Sequence, residues 1–467
     1  MKKIILLITF VILWAAWYLC YPHYLVWLEG YGFFSTLPDF TDIYMDFPRD
    51  VPRYVGAFLL QFYAVPGVGP AVQALLPLLS VLCLYMIVRR LFKDSDGLLW
   101  IPFVALPIYV FNQMDDMTLT RSVTILSCAV AGMLAALLCT LKARPFAGMP
   151  EFLRNRYLAL SVIIASVCIS TVIIVKKSPL NGQYEDIAHL ECLAENKDWD
   201  KILEMVSVQE SVKDEFKRKY VLLALSQTGM LPDYAFRYGL SSPDDFVYTN
   251  AEDPFKLNFN ILFYRSLGMN NPAVHQAYQQ AVQSLPGATF HSLRTLADIY
   301  LENKDYVMSK KYLDILDHST CHGKWVRERR PLLEAIKDAI PEYKEKDDDF
   351  ILDSFFRDIS SMLDRNIGDT RYADLIMCGV LSRKDGNTFF QVFNAVAPSL
   401  YSTGRKIPDL YQEALLLIAG KEPEVMQMYR IDEDVCERFE DFTDLIRAGK
   451  VVQAKRKYSG TYWAYVY

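Results

Sequence analysis

Acidic side chains are grouped in two stretches of the chain that separate apolar runs. The first stretch begins at Glu29, and the second holds an adjacent pair of aspartates. The carboxylates that could take part in catalysis or metal binding are Asp39, Asp42, Asp46, Asp115 and Asp116. Grouped carboxylates can hold a metal ion or act as a general base. They can equally be solvated charges that keep these loops out of a membrane, and both interpretations stay open.

A second group of candidate ligands lies in the string His-Ser-Thr-Cys-His, which contains His318, Cys321 and His322. Side chains four residues apart on a helix share a face, and imidazole and thiolate are common zinc ligands. This string follows a predicted helix, however, and no fourth ligand is evident. We therefore expect a polar turn here, and we predict no metal and no cofactor.

Common catalytic motifs are absent from the sequence, which has no Gly-rich phosphate loop, no HExxH and no nucleophile elbow. The acidic first loop resembles that of multi-span membrane glycosyltransferases that use lipid phosphosugars and carry an acidic residue in an early outer loop. That resemblance implies an enzyme of envelope glycan or lipid metabolism, acting through Asp39, Asp42 or Asp46. Those enzymes generally have many more spans, so an enzyme is the alternative hypothesis and not the leading one.

The elements that must position these residues follow from a change of composition near residue 177. The net charge is +4 before that point and −10 after it, within a total of −6 for 467 residues. Five apolar runs in the first part approach the length of a membrane-spanning helix. They are Ile4–Cys20, Ala71–Val88, Leu98–Phe111 (the shortest, with two prolines), Ser122–Leu141 and Tyr157–Val175. We therefore predict a transmembrane helix bundle of about five spans over residues 1–177.

Basic residues set the expected orientation, because they are enriched on the cytoplasmic side of membrane proteins. They precede the first run, follow the second and separate the fourth from the fifth: Lys2, Lys3, Arg89, Arg90, Lys93, Lys142, Arg144, Arg154 and Arg156. Five spans then place the chain after residue 177 outside the cytoplasm. The run Tyr54–Ala64 is ambiguous. We expect an interfacial or re-entrant helix within an outer loop at residues 23–66, whereas a full crossing would give six spans and a cytoplasmic C-terminal domain.

The rest of the chain has the three- and four-residue apolar spacing of helices. The string Glu195-Asn196-Lys197-Asp198-Trp199 returns 107 residues later as Glu302-Asn303-Lys304-Asp305-Tyr306. Small residues such as Ala297 and Ser309 allow paired helices to approach closely. These features resemble tetratricopeptide-like repeats, which implies an all-α solenoid of stacked helical hairpins. An irregular helical bundle is the alternative.

The soluble part divides at the charged run Lys344–Asp349 into repeats at residues 178–340 and C-terminal helical repeats with an aromatic tail at 350–467. The rings of the tail can pack back onto the last helices, or dock on the bilayer or on a partner. The whole layout and the end Gly460-Thr461-Tyr462-Trp463 resemble an uncharacterised family of bacterial inner-membrane proteins. That family has N-terminal spans and a helical-repeat C-terminus.

The pairing of membrane spans with helical repeats predicts a membrane-anchored scaffold for protein–protein interaction at the bacterial cell envelope. Its partners would be lipid around the spans and a protein or peptide on the repeat surface. We exclude nucleic acid, because phosphate binding needs clustered Lys and Arg and the soluble part is mildly acidic. The expected location is the inner (plasma) membrane, with the C-terminal domain extracytoplasmic, which means periplasmic in a Gram-negative host.

Overall fold

The computed structural model describes residues 2–44, 50–92, 98–140, 155–177, 183–284, 287–342, 355–401, 405–419 and 428–467. Over these residues the protein consists of helices and the turns between them, with no β-strand, in agreement with the all-α prediction. The chain forms two compact units. One comprises Met1–His189 with Tyr278–Glu342, and the other comprises Leu190–Ala277 with Tyr343–Tyr467.

The helices that begin before residue 189 include every long apolar helix of the described chain. They are α1 (Lys2–Cys20), α2 (Pro22–Tyr31), α3 (Pro38–Tyr44), α4 (Val51–Leu60) with a 3-10 helix at Gln61–Ala64, α5 (Val68–Leu91), α6 (Trp100–Phe103), α7 (Leu106–Gln113), α8 (Thr120–Cys139), α9 (Arg156–Lys176) and α10 (Gln183–Glu195). Four of them, α1, α5, α8 and α9, are long and apolar enough to cross a membrane. Large apolar side chains such as Leu7 and Leu138 remain exposed on α1 and α8. Lipid solvates such surfaces at no cost, so the protein belongs in a membrane.

The predicted third span differs from the other four. Residues 98–111 form the short helices α6 and α7 and not one continuous helix. Pro102 and Pro107 are the physical reason, because proline removes a backbone donor and crowds the preceding turn. The described part of the chain therefore contains four long apolar helices where the sequence predicted about five.

Contacts along the bundle give the directions of its helices. Lys2 Nζ donates to Tyr85 Oη (2.6 Å), and Trp14 Nε1 donates to the Gly67 carbonyl (3.0 Å), so α1 and α5 are antiparallel. Tyr21 Oη donates to the Ile174 carbonyl (2.7 Å), which places the end of α9 beside the end of α1. We name the two ends of the bundle after Lys2 and Tyr21.

Helices α5 and α8 run in the same direction. At the Tyr21 end, Gln113 Nε2, which precedes α8, donates to the Gln73 carbonyl near the start of α5 (3.0 Å). Towards the Lys2 end, Gly132 of α8 lies against the side chain of Ile87. Parallel neighbours need a return between them, so the segment with α6 and α7 runs back from the Lys2 end to the Tyr21 end.

The described helices after α10 are all shorter than the four long apolar helices. They are α11 (Trp199–Met205), α12 (Val208–Lys213), α13 (Glu215–Thr228), α14 (Leu231–Tyr234), a 3-10 helix at Pro243–Asp245, α15 (Pro254–Ser266), α16 (Asn270–Gln283), α17 (Phe290–Glu302), α18 (Tyr306–Asp317), α19 (Gly323–Ala335), α20 (Phe355–Arg365), α21 (Thr370–Ser382), α22 (Gly386–Leu400), α23 (Asp409–Ala419), α24 (Glu433–Arg447), α25 (Val451–Lys457) and α26 (Tyr462–Val466). The charged run Lys344–Asp349 lies outside the described residues.

Turns of one geometry join several pairs of these helices. Lys197, Lys304 and Lys384 adopt left-handed φ angles of 59°, 55° and 59°. In each turn the N–H of the following aspartate donates to the carbonyl five residues earlier, at 2.9, 2.9 and 3.4 Å. Gly229, Gly268 and Gly449 take the same position in three further turns. A left-handed residue after a helix satisfies the last carbonyls and reverses the chain, which is how these helices become paired.

In the second unit, the aromatic tail packs back onto the last helices, which is one of the arrangements that the sequence allowed. Tyr462 and Trp463 are buried. The Tyr462 N–H donates to Glu413 Oε2 (2.7 Å), and Trp463 Nε1 donates to the Glu413 carbonyl (2.9 Å). Burial raises the pKa of Glu413 to about 7 against the opposing effects of the Tyr462 N–H and the Arg438 charge.

Candidate functional site

The candidate site of the first unit begins on α2, directly after the first long apolar helix. Pro22 starts α2 at a position where its missing N–H costs no hydrogen bond. Leu25, Leu28 and Glu29 recur at helical spacing on the buried side. Glu29 is a charged residue among apolar neighbours and is only 2% exposed. A buried carboxylate needs compensating charge and hydrogen bonds, so its partners identify the site.

Helices α17 and α19 supply those partners. Thr289 caps α17 through a reciprocal pair of bonds with Ser292, and this cap fixes the first turns that carry Phe290 and Arg294. His322 is the residue at the N-terminal boundary of α19 and is 3% exposed. A short turn after α18 therefore brings the imidazole back beside the start of α17.

The four side chains form what we call the Glu29 cluster: Glu29, Phe290, Arg294 and His322. Glu29 Oε1 lies 2.7 Å from His322 Nε2, at ion-pair distance but without the alignment of a hydrogen bond. Glu29 Oε2 lies 3.4 Å from Arg294 Nη2. The Phe290 ring stacks on the imidazole with centroids 3.8 Å apart. Burial acts to raise the pKa of Glu29, but Arg294 and His322 together outweigh burial and lower it.

Backbone bonds extend the same contact on both sides of the cluster. The Phe290 N–H donates to the Gly32 carbonyl (2.8 Å), and the Thr36 N–H donates to the His318 carbonyl (2.9 Å). The Thr320 N–H donates to Gln61 Oε1 (3.0 Å). A side chain at Gly32 would have to displace the Leu60 side chain, because a Cβ there would lie 2.7 Å from Leu60 Cδ2. Residues 29, 32, 36 and 61 are thus each held against α17 or against the turn between α18 and α19.

The Glu29 cluster is suited to a structural role, in which buried groups of opposite charge hold helices together. A catalytic carboxylate–imidazole pair needs a path for substrate, whereas both partners here are almost fully enclosed. Removing one partner would leave an uncompensated charge in the interior. The arrangement is therefore suited to holding helices together.

A sequence profile of one family of unknown function matches residues 1–154 and 144–467, which together cover the chain. The chain belongs to the DUF6057 family. A search of curated proteins and a search of solved structures found no match. Membership of an uncharacterised family, which the sequence predicted, is thus confirmed. Because the function of the family is unknown, membership assigns no activity to this DUF6057 protein.

The acidic candidates of this DUF6057 protein lie apart from the Glu29 cluster. Asp39 and Asp42 are exposed on α3, and Asp46 lies outside the described residues. Asp115 forms an ion pair with Lys177 at 2.9 Å. Asp116 is buried, and its Oδ2 accepts hydrogen bonds from the N–H and Oγ of Ser122 (2.7 and 2.8 Å), which fixes the start of α8. Both members of the pair thus have structural partners.

The candidate ligands of the His-Ser-Thr-Cys-His string lie in a turn, as expected, but face different neighbours. His318 Nδ1 contacts the Asp314 carbonyl (2.7 Å), and Cys321 is half-buried. His322 turns inward to Glu29. Sequence reasoning placed Glu29 and His322 in separate candidate groups and missed Arg294 altogether. No local signal was available, because these partners lie more than 260 residues apart in the chain.

Proposed function

We propose that this DUF6057 protein is a membrane-anchored scaffold that holds paired helices on the extracytoplasmic face of the cell-envelope membrane for binding a protein or peptide. The Glu29 cluster is the observation that carries this proposal. It joins α17 and α19 to α2 at Glu29, nine residues after the first long apolar helix ends at Cys20. Helices fixed so closely to the membrane anchor are presented in a defined position, which is what a scaffold requires.

The direction of the helices supports a five-crossing topology. Helices α1, α5, α8 and α9 supply four crossings. The broken pair α6 and α7 supplies the fifth, because it returns the chain between the parallel helices α5 and α8. Prolines are tolerated in such a crossing when neighbouring helices surround it. Five crossings place the chain before α1 and the chain after α9 on opposite sides.

The segment α4 with its 3-10 helix does not need to cross. Gly56 lies against the Thr118 carbonyl at the Tyr21 end, and Gly67, just beyond the 3-10 helix, accepts a bond from Trp14 of α1. Gly56, near the start of the run Tyr54–Ala64, and Gly67, just beyond that run, are therefore near the same end of the bundle. This favours the interfacial interpretation of Tyr54–Ala64 over a sixth span.

The distribution of basic residues favours one orientation. Among the described residues of the long apolar helices, Lys2, Lys3, Arg89, Arg90 and Arg156 lie at the Lys2 end of the bundle. Arg121, Lys176 and Lys177 lie at the Tyr21 end, where Lys177 pairs with Asp115. Basic residues favour the cytoplasmic side, so the Tyr21 end faces outward. The Glu29 cluster and α17 to α19 are on that outer side, and the chain after residue 177 starts there.

The recurring left-handed turns support a tetratricopeptide-like arrangement of the paired helices. The left-handed residues Lys197, Gly229, Gly268 and Lys304 follow one another at intervals close to the 34-residue period of such repeats. Two apolar side chains of the paired helices are strongly exposed: Val282 is 79% exposed and Val307 is 73% exposed. We take these two valines as the positions at which a partner would make contact.

Site-specific photocrosslinking in living cells tests the proposal. A photoreactive amino acid at Val307 or Val282 of the full-length protein should give adducts of discrete mass that contain another protein. The matched control is Lys324, which is as exposed but polar and lies on α19. Adducts from both valines and not from Lys324 support the proposal. Only lipid adducts, or none at any position, would contradict it.

A further inference from the structure

Two histidine rings lie face to face where the first and last long apolar helices continue into the extramembrane helices. His23 is in the first turn of α2, and His189 is in α10, which follows α9. Their ring centroids are 3.9 Å apart, and the ring planes differ by 6°. Both imidazoles are half-buried and belong to the same compact unit.

Glu185 of α10 holds His23 in this position. Its Oε1 lies 2.7 Å from His23 Nδ1 and also accepts the His23 N–H at 3.1 Å. Its Oε2 accepts the Tyr24 N–H at 2.9 Å. The first N–H groups of a helix have no partner within the helix, so this carboxylate caps α2 as well as pairing with the imidazole. The stacked pair and Glu185 together tie α10 to α2.

Other titratable groups near the pair come from three helices. The charge of Asp186 in α10 acts to raise the pKa of His189, against the larger effects that lower it. The Cys20 thiol at the end of α1 lies near Glu185. The phenols of Tyr24 and Tyr184 stack beside them, with centroids 5.5 Å apart. In the described part of the chain, no lysine or arginine forms an ion pair with Glu185. Glu185 is therefore the group that can balance a proton on His23.

The stacked arrangement tolerates one added proton on the two imidazoles but not two. A single positive charge on His23 faces the Glu185 carboxylate. A second proton on His189 would place two cationic rings 3.9 Å apart, where like charges repel strongly in a partly buried setting. The nitrogen lone pairs of two parallel rings lie in parallel planes and do not converge, so the pair is not arranged to chelate one metal ion.

We infer that His23, His189 and Glu185 form a proton-sensitive joint, which holds α10 against α2 near neutral pH and releases it when both imidazoles are protonated, below roughly pH 6. The ordinary titration range of histidine makes this response accessible to a cell-envelope protein.

The ionisation of His189 agrees with this assignment. Burial, and next the charge of His23, lower the pKa of His189. A lowered pKa in the closed form means that the open form binds protons more strongly, so closure is favoured above that pKa and lost as the pH falls through it. Burial also raises the pKa of Glu185. By the same linkage, a carboxyl with a raised pKa favours closure as the pH falls, so Glu185 works against acid opening and the response rests on the two imidazoles.

Hydrogen exchange of the full-length protein in lipid nanodiscs tests the joint. Exchange of the α10 amides would be followed from pH 7.5 to pH 5 and corrected for the intrinsic pH dependence of exchange. We expect the protection of α10 to fall by about tenfold or more in the wild type, equivalent to one unit of pKa difference between the closed and open forms. His189→Phe keeps a stacked ring but cannot be protonated, so its change should stay below about twofold. His275→Phe, at an exposed histidine of α16, should behave as the wild type.

Two results would overturn the inference. One is a wild-type protection of α10 that does not change with pH. The other is an equal loss in the wild type and in His189→Phe, which would assign the response to other groups. Protection of α17 and α18 at pH 7.5 reports whether the variant is folded. If His189→Phe fails that check, a titration of the two imidazoles by NMR in the wild type decides instead, and two independent pKa values near 6.5 would contradict the coupled pair.

Discussion

The carboxylate of Glu29 and the imidazole of His322 approach to 2.7 Å although 293 residues separate them in the chain, and both side chains are almost fully buried. This contact links the helix after the first long apolar segment to the boundary between α18 and α19. Arg294 completes the charge balance at 3.4 Å. The position of the extramembrane helices of this unit therefore depends on a small polar cluster within an apolar contact.

Removing the Glu29 carboxylate should destabilise the protein severely. Glu29→Ala leaves the buried His322 and the partly exposed Arg294 without their common partner, and losing one partner of a buried pair costs about 3–5 kcal/mol. Urea unfolding of the detergent-solubilised protein measures the change. Glu328→Ala removes an exposed carboxylate 3.9 Å from Lys324 and should change stability by less than about 0.5 kcal/mol. Equal effects of the two variants would contradict a locking role for Glu29.

The Glu29 cluster also predicts a loss of stability in acid. The folded pKa of Glu29 lies below its ordinary value of 4.5, so its contribution is present above that value and is lost as the pH falls through the folded pKa. Stability measured between pH 6 and pH 3 should fall less steeply in Glu29→Gln than in the wild type. Parallel curves for the two proteins would show that Glu29 is not the group that titrates.

The aromatic tail should bind less firmly as the pH rises. Glu413, which accepts the Tyr462 N–H, has its pKa raised by burial to about 7. A raised carboxyl pKa gives a contribution that is full below about pH 4.5 and is lost as the pH rises through about 7. Corrected exchange rates of the amides of residues 462–466 should increase from pH 5 to pH 8. Glu413→Gln keeps an acceptor oxygen and should abolish the increase; a wild-type tail with constant protection would refute this prediction.

The aspartates that end the left-handed turns should contribute unequally. Asp305 and Asp385 accept N–H groups of the next helix through their side chains, whereas Asp198 at the equivalent position does not. Asp305→Ala and Asp385→Ala should each cost about 1 kcal/mol, the usual value of an N-cap. Asp198→Ala is the matched control and should cost clearly less in the same urea titration. A cost for Asp198→Ala as large as for the other two would show that the cap bonds are not the cause.

The exposed acids of α3 should be dispensable for a scaffold. Asp39→Ala and Asp42→Ala should leave the photocrosslinking yield at Val307 unchanged and shift stability by no more than about 0.5 kcal/mol. Asp116→Ala, in contrast, removes both bonds to Ser122 and should destabilise the protein. Loss of a cellular phenotype in the α3 variants, at normal protein level and normal crosslinking, would favour the glycosyltransferase-like alternative.

Local patterns explain why much of the fold was predictable. The long apolar runs of α1, α5, α8 and α9 are single-segment properties, and so is the Asn-Lys-Asp turn that led to the helical pairs. The third such turn was missed because Arg383 replaces the asparagine before Lys384. The interruption between α6 and α7 was signalled by Pro102 and Pro107.

Long-range partners explain what was not predictable. Nothing near Glu29 distinguishes it from the solvated acids of the same segment. Its burial results from the tertiary contact that brings His322 and Arg294 to it. The stacking of His23 on His189 likewise depends on how two ends of a helix bundle meet. Single-sequence patterns carry no information on such pairs.

The accessibility of single cysteines in intact cells tests the central claim most directly, which is that the helices fixed by Glu29 lie outside, opposite the basic end of the bundle. In a full-length protein without its nine native cysteines, the positions are Asp39, Val307, Arg90 and Arg156, all exposed. A membrane-impermeant maleimide should label the cysteines at 39 and 307 in intact cells, and those at 90 and 156 only after permeabilisation. Labelling at 90 or 156 in intact cells, or opposite results at 39 and 307, would contradict the account.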